Sequence, residues 1–500
     1  MDELDRRSFL TKAAASGLTL AAGAELAGAA DAAVRAACRP GPPIPNSIFH
    51  AIRGHVFGRN TPGFRSASHV FNTVFDGVLP KWVARPINTA DVRAAVRWAI
   101  KHDVPMRPRS GGHSYAGYSV LRDGLVIDLR RLSGISLNRR TGVATIGAGA
   151  QLINVYAALA NAGATIPAGS CPSVGIAGVT LGGGMGLAGR AFGLTLDNLV
   201  GAEIITADGC VRTVSRTSEP GLFWALRGGG GGNFGIVTQF KFKVHPLPRV
   251  ATWVFMSWPW SQASAALAAW QAWQPRATDR FTSILHFQTS PSGPQVVLTG
   301  QYLGPAGDVP GLVRSLRNVP GARLSFGQQG YFAMQMRWAG CSHMSFNACH
   351  NVGQYPGGQV QRDTFRAGSD YFNRPVSGAG RATLIRAIET RQRQPGSGAI
   401  LLDSYGGAIN RVHPNATAFV HRNALFCIQY LTYNGGSGWL AQTRGAMRPY
   451  ASGFCYQNYI DATLRNWQHA YYGSNYGRLL AIRRQIDPHH VFNCPQAIGR

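Results

Sequence analysis

The sequence predicts an α+β chain of two lobes, and three changes of pattern carry that expectation. From about Ser66 to Pro246 short apolar runs alternate with helical periods, and from Val250 to about Phe454 the runs lengthen into aromatic-rich strands. From Tyr456 the pattern changes again. Five hundred residues exceed one average core, and two large domains account for them.

Taken in order, Thr89 is placed to cap a helix whose apolar Val92, Val96 and Ala99 fall on one face, and Val104-Pro-Met-Arg-Pro then breaks into extended chain. Leu125 to Leu129 and Val143 to Ile146 read as strands, and Leu152, Val155, Tyr156 and Leu159 give the next helix its stripe. Ala202 to Val214 is a hairpin about Asp208-Gly209, a strand from Gly235 to Val244 follows five glycines at 228–232, and Pro246 and Pro248 close a domain spanning 66–249. In the next domain, 250–455, Thr252 to Trp258, Ile284 to Gln288, Gln295 to Tyr302 and Leu425 to Tyr433 read as strands and Ser261 to Trp273 as a helix. That mixture suits an antiparallel sheet with helices on one face, the other face free to roof a cofactor. In the tail a helix from Tyr471 to Ile486 is stopped by Asp487-Pro488.

Charge is lopsided, 49 Lys plus Arg against 22 Asp plus Glu, and most of the excess is Arg. Such a field favours anionic surfaces, but the basic residues are scattered and no zinc-finger, RNA-recognition or basic-zipper signature accompanies them, so no specific nucleic-acid partner is expected. A non-enzymatic polyanion-binding role has only the Arg excess behind it. The start, Asp5-Arg6-Arg7-Ser8-Phe9-Leu10-Thr11-Lys12 before an Ala/Leu/Gly-rich stretch from Ala13 to Ala30, reads as a twin-arginine signal peptide over 1–37, cut between Ala27 and Ala37. It implies export to the periplasm or outside, with no integral membrane segment left after its removal. Of eight cysteines, Cys341 and Cys349 are near enough for a local disulfide in an oxidising compartment. Neither C-x-x-C nor H-E-x-x-H occurs, so no metal site is expected.

Two stretches carry chemistry. Arg107-Pro-Arg-Ser-Gly-Gly-His113-Ser and Cys171-Pro-Ser-Val-Gly-Ile-Ala-Gly178 each set a nucleophile beside bare glycine backbone. Imidazole and thiolate are the side chains able to attach to an electron-poor isoalloxazine ring, and glycine lets backbone N–H groups approach a pyrophosphate, so the pair points to a flavin held by two covalent bonds. The string G-x-G-x-x-G at Gly184 to Gly189, and again at Gly230 to Gly235, lacks the strand a nicotinamide site needs; the residues from Gly175 to Gly182 read as loop, and Asp208 belongs to the hairpin turn.

These strings, with Gly193-Leu-Thr-Leu-Asp197-Asn198, Trp224 to Val237, Thr417-Ala-Phe-Val-His421-Arg422, Tyr456-Gln-Asn458-Tyr459-Ile-Asp461 and Tyr471-Tyr-Gly-Ser-Asn475-Tyr476, run in order over most of the mature chain. Together they closely resemble the berberine-bridge-enzyme-like branch of the vanillyl-alcohol-oxidase flavoproteins. Residues 250–400 carry none of the family's strings.

The resemblance implies a two-lobed PCMH-type FAD-binding domain with an antiparallel-sheet substrate domain, and a C-terminal segment, 456–498, returning to the FAD lobe. It implies FAD bonded through its 8α-methyl to His113 and through ring carbon 6 to Cys171. Arg109, Ser110, Gly111, Gly112 and Ser114, with Val174, Gly175 and Gly178, would line pyrophosphate and isoalloxazine, Gly235, Ile236 and Val237 would clamp the cofactor by their backbone, and Asn458 would join them. Tyr456 and Tyr459 match the segment in which a Tyr serves as base or substrate orienter, while Asp403, Tyr405, Gln429 and Tyr433 are polar candidates on the roof. The expected reaction is oxidation of an alcohol or hemiacetal, a carbohydrate first, with oxygen reduced to peroxide. The alternatives are a polyketide, alkaloid or phenolic substrate and a dehydrogenase using a quinone or other acceptor. Oligomeric state is not read from the sequence.

Overall fold

The apolar runs of the first segment build two small sheets. The computed structural model describes residues 41–500, so the leader read over 1–37 lies outside the described residues. β1 (His55–Gly58), β2 (Trp82–Arg85), β3 (Met106–Arg109) and β4 (Leu125–Asp128) form a sheet in the order β1-β2-β4-β3, parallel except for β1. Helix α1 (Thr89–Lys101) crosses from β2 to β3 with Val92, Val96 and Ala99 buried, as their spacing predicts. Its cap is Asn88 and not Thr89: Asn88 is extended and its side-chain oxygen accepts from the Asp91 N–H at 2.9 Å, while the Thr89 hydroxyl turns to Glu203.

The second sheet, β5 (Ile135–Asn138), β6 (Val143–Gly147), β7 (Leu199–Ile205), β8 (Val211–Ser215) and β9 (Ile236–Lys243), is antiparallel in the order β5-β6-β9-β7-β8. Between them α2 (Leu152–Asn161) buries Leu152, Val155, Tyr156 and Leu159. Gly209 takes φ 73° in the β7–β8 turn, and the Asp208 carboxylate accepts from the Cys210 N–H and the Thr206 hydroxyl. One expectation fails here. Ile176–Gly182, read as loop, is helix α3, because burial of Ile176, Ala177 and Leu181 in the lobe's core outweighs a glycine-rich local propensity. His245–Pro246 pairs with Ala164–Thr165 of this lobe, and the next strand starts at Ala251. A helix and not a strand therefore precedes Gly184, and the nicotinamide site still lacks its strand.

The remaining strands, β10 (Ala251–Trp258), β11 (Phe281–Gln288), β12 (Gln295–Tyr302), β13 (Arg323–Gln329), β14 (Phe365–Phe372), β15 (Ser397–Ser404) and β16 (Phe426–Tyr433), form one antiparallel sheet ordered β13-β10-β12-β11-β15-β16-β14. Three of the seven were not read from sequence: β13 is a half-exposed polar edge, β14 carries Gly368 and Asp370 inside it, and β15 opens on Ser397-Gly398. One face packs Met256, Leu285, Leu298, Ile400 and Ile428 under α4 (Ala263–Trp273), α6 (Gly378–Gln392) and α7 (Ser437–Met447), whose Trp270, Leu384 and Trp439 enter the same core. A further helix, α5 (Tyr331–Trp338), packs instead against α2 of the first lobe.

The tail returns to the first lobe. Trp467, Tyr472, Leu479, Phe492 and Ile498 share a core with Trp98, Phe223 and Phe240. The single helix expected over 471–486 is two, α8 (Trp467–Tyr472) and α9 (Tyr476–Ile486), because Gly473 takes φ 48° and Asn475 donates to the Pro414 and Thr417 carbonyls.

At the end of β4 Asp128 is fully buried against Arg109 at 3.0 Å, Arg130 at 2.7 Å and Arg85 at 3.2 Å. Burial alone would raise its pKa, but the three guanidinium groups hold it down to about 2. Its contribution to stability is thus present above the ordinary carboxylate range and fades as pH falls from about 4 towards 2. Asp128→Ala is expected to lower unfolding free energy by about 3–5 kcal/mol, since Arg109 is left buried without a counter-charge; the urea midpoint should fall at unchanged slope.

Candidate active site

Strand β3 ends at Arg109 and delivers residues 110–114 to the seam between the lobes. There backbone meets backbone. A Cβ on Gly111 would lie 2.2 Å from the Gly175 nitrogen and 2.5 Å from the Ser173 carbonyl oxygen, and one on Gly175 would lie 2.0 Å from Ser110 Oγ. The second loop is pinned in turn: the Leu152 N–H donates to the Val174 carbonyl and the Ile176 N–H to that of Ala150, each at 2.9 Å. The Ser110 hydroxyl donates to the Ala148 carbonyl at 2.6 Å. Two loops distant in sequence are thereby locked side by side.

His113 projects from the first loop. Its ring stacks on Phe71, centroids 4.0 Å apart, and its Nε2 shares a 2.9 Å hydrogen bond with Ser173 Oγ. Burial pushes the imidazole pKa down to about 3, so the ring is neutral at ordinary pH. Cys171 is exposed and free on the neighbouring loop. Gly178 is exposed too, with nothing within 4 Å of a Cβ built on it, and Val174 is half-buried between them.

The other residues expected around a cofactor make contacts within the protein itself. The Arg109 side chain turns away, donating to the Ala67, Ser68 and His69 carbonyls and to Asp128, so it braces the loop from behind. Gly112 supplies φ 73°, and Ser114 Oγ accepts from the Tyr118 N–H. A Cβ on Gly235 would meet the Ile205 carbonyl at 2.3 Å, and the buried Ile236 and Val237 continue that pairing with β7. Asn458 donates to the Val179 carbonyl at 2.9 Å and to the Tyr456 hydroxyl at 3.1 Å.

The two tyrosines are placed differently. Tyr456 is buried among Leu196, Tyr371 and Phe419, and its hydroxyl oxygen also accepts the Gly184 N–H at 2.8 Å and the Met185 N–H at 3.2 Å. Burial, only partly offset by those donors, pushes its pKa up to about 12. Tyr459 lies stacked on Tyr115, rings 9° apart, and donates its hydroxyl to Asp403 Oδ2 at 3.0 Å. Burial raises Asp403 to about 7, with the Tyr459 hydrogen bond opposing the shift.

Strand register shows what surrounds this pair. Side chains alternate between sheet faces, so Tyr371, Cys427, Asp403, Ile284, Thr299 and Phe255 form one row on the face towards the first lobe. The next row holds Ser369, Gln429, Leu401, His286 and Val297. Gln429 donates to the Tyr115 hydroxyl at 2.7 Å, and His286 and Thr299 share a hydrogen bond at 2.8 Å. Tyr433 sits on the same face, flanked by Leu431, Ala399, Phe365 and Phe71. Tyr405 joins the cluster that holds Leu196, Tyr371 and Tyr456, its hydroxyl 2.9 Å from that of Tyr371.

Sequence reasoning passed over Phe71, Tyr115 and Ser173. Ser173 lies inside a quoted string and Tyr115 directly follows one, whereas Phe71 has no sequence signal. The residues present fit a flavin: Gln151 Oε1, Thr180 Oγ1 and Gln457 Oε1 are buried side-chain atoms without a protein partner, and they sit on or beside helix α3 and the loop that leads into it from Cys171. Among the described residues no cluster of His, Cys, Asp and Glu suits a metal, and no helix is long and apolar enough to cross a membrane.

Two family models match the chain, the FAD binding domain over residues 80–215 and "Berberine and berberine like" over 455–499. The FAD-linked oxidoreductase YgaK of Bacillus subtilis is 34% identical, covering 89% of this chain and 97% of its own. The xylooligosaccharide oxidase of Thermothelomyces thermophilus is 30% identical over 89% of this chain and 92% of its own. Among solved structures, wild-type BBE-like 1 of Physcomitrella patens superposes with a TM-score of 0.83 at 33% identity, covering 90% of this chain and 98% of that one.

Gly175→Ala is expected to abolish flavin retention, because its methyl would stand on Ser110 Oγ and the Gly111 nitrogen and drive the loops apart. Absorbance near the visible flavin band after gel filtration checks this; a fully yellow variant would contradict it.

Proposed function

The chain belongs to the berberine-like family of FAD-linked oxidoreductases, and from that premise we propose that it is an exported oxidase which holds FAD through both His113 and Cys171 and oxidises an alcohol or hemiacetal. That it is an FAD-dependent oxidoreductase follows from the family. The observation that carries the finer reading is the Tyr459–Asp403 hydrogen bond on the sheet face turned to the attachment loops. When bound, FAD supplies the acceptor for a hydride from carbon and hands two electrons to oxygen.

In this reading Tyr459 takes the substrate's hydroxyl proton while its own proton moves to the Asp403 carboxylate. Asp403 must be ionised to accept it, so turnover rises with pH through about 7. Tyr456 has a supporting part: its hydroxyl gathers the Gly184, Met185 and Asn458 donors and fixes the glycine turn beneath the site. Stacked Tyr115 and the Gln429 amide orient the substrate.

A carbohydrate is the first substrate reading. It is supported by the name of the xylooligosaccharide oxidase and by polar side chains on the sheet face that carries Asp403, Thr299 in its row, His286 in the next, and the Gln288–Gln295 pair further along β11 and β12. Such hydrogen-bonding groups suit a sugar's hydroxyls. A phenolic or other aromatic alcohol is the second, favoured by the apolar flank of Phe71, Phe365, Leu431, Ala399 and Leu401. Release of peroxide across a panel of oligosaccharides and aromatic alcohols decides between them. Discharge of the reduced flavin by a quinone but not by air would favour the dehydrogenase alternative. Export is supported by the Arg6-Arg7 leader and by the Cys341–Cys349 disulfide, which an oxidising compartment preserves.

Four outcomes are expected. Tyr459→Phe slows anaerobic flavin reduction by roughly a hundredfold, the lower range for loss of a general base, and Asp403→Asn removes the acid limb near pH 7. His113→Ala and Cys171→Ala each keep one covalent link and the double variant none, read by mass spectrometry of flavin-bearing peptides. Val174→Leu, which enlarges the half-buried side chain beside the attachment loop, slows aerobic reoxidation in stopped flow while sparing reduction by substrate.

A further inference from the structure

We infer that Ser173 is a positioning residue for attachment of the flavin to His113, engaging Nε2 so that Nδ1 is the ring nitrogen presented to the cofactor. The inference rests on the covalent reading above and concerns how the bond is made. An imidazole has two ring nitrogens, and in the neutral ring one carries the proton while the other keeps its lone pair. Here Nε2 is engaged by Ser173 Oγ at 2.9 Å, and the ring plane is fixed by stacking on Phe71. Nδ1 is left as the nitrogen available to a ligand.

Ser173 is suited to the task because it cannot move. It is 1% exposed, its carbonyl faces Gly111 at the loop crossing, and the residues on either side of it, Pro172 and Val174, accept hydrogen bonds from Ile153 and Leu152 at the start of α2. With Nε2–H donating to Oγ, Nδ1 presents its lone pair. With the proton on Nδ1, attachment is blocked.

The step balances as follows. A C–H bond of the flavin 8α-methyl breaks and its proton leaves, and its electron pair passes into the ring system. The Nδ1 lone pair forms the new N–C bond, and the Nε2 proton, made acidic by that bond, is held by Ser173 Oγ until it is lost. Molecular oxygen then takes two electrons and two protons from the reduced flavin as hydrogen peroxide, so the sum is methyl C–H plus imidazole N–H plus oxygen giving a C–N bond plus peroxide. Because Ser173 stands two residues beyond Cys171, the loop that offers the thiol also readies the imidazole.

The test isolates the imidazole link in a Cys171→Ala background, in the full chain expressed with FAD. The readouts are total bound flavin in the native protein, flavin fluorescence remaining on the polypeptide after denaturation, and the mass of the His113 peptide. Cys171→Ala is expected to keep its flavin covalently. Adding Ser173→Ala should leave FAD bound but cut the covalent fraction by about tenfold, the weight of one lost hydrogen bond. Adding Ser173→Thr in its place, which keeps the hydroxyl, should restore it. An unchanged covalent fraction with Ser173→Ala overturns the role of Ser173 while leaving the His113 bond in place. Failure of both Ser173 variants to bind FAD at all overturns it in favour of a purely structural role. No covalent flavin in Cys171→Ala itself, with wild type labelled only at Cys171, overturns the His113 bond and the inference with it.

Discussion

The site depends on one close approach, the backbone contact of Gly111 with Gly175. Neither position leaves room for a methyl group, and the contact joins the end of β3 to the loop that opens α3. Everything chemical in the first lobe follows from it: the imidazole and the thiol come to neighbouring loops, Ser173 reaches Nε2 of His113, and Ser110 ties the crossing to Ala148. Behind it Arg109 and Asp128 hold the strand ends with buried charge, which keeps the loops from relaxing apart.

The second constraint is the tail. Chain from the end of the sequence crosses back over the seam, and three consecutive contacts tie both lobes to it: Tyr456 N–H to Ser369 Oγ on β14, the Asn458 amide to Val179 on α3, and Tyr459 to Asp403 on β15. One short segment therefore sets the distance between the loops bearing His113 and Cys171 and the sheet of the second lobe. The sheet face towards the first lobe carries polar side chains, among them His286 and Thr299, and an apolar flank of Phe365, Ala399 and Leu431.

The arginine excess also takes on a structural sense. Arg109, Arg190, Arg391 and Arg483 are almost wholly buried, and each donates to backbone carbonyls: Arg190 to Tyr405 and Ala277, Arg391 to Pro395 and Tyr433, Arg483 to Phe492. A guanidinium with five donors suits loop-rich chain whose carbonyls lack sheet or helix partners. These cations are out of reach of a polyanion, which weakens the one argument for a non-enzymatic binding role.

The sequence by itself determined the two lobes, the strands with strong apolar alternation and the loops bearing His113 and Cys171, because those signals are local: period, turn chemistry and glycine next to a nucleophile. It did not show α3, β13, β14 or β15, where glycine and polar residues are carried by packing or by neighbouring strands. Nor did it separate Tyr456 from Tyr459, two residues of one string that differ only in what the fold brings to each hydroxyl, three N–H donors in one case and a buried carboxylate in the other. Partners tens of residues away in the chain, such as Asp403 for Tyr459, Phe71 for His113 and Ser369 for the tail, were supplied only by tertiary structure, because long-range contact leaves no mark in local pattern.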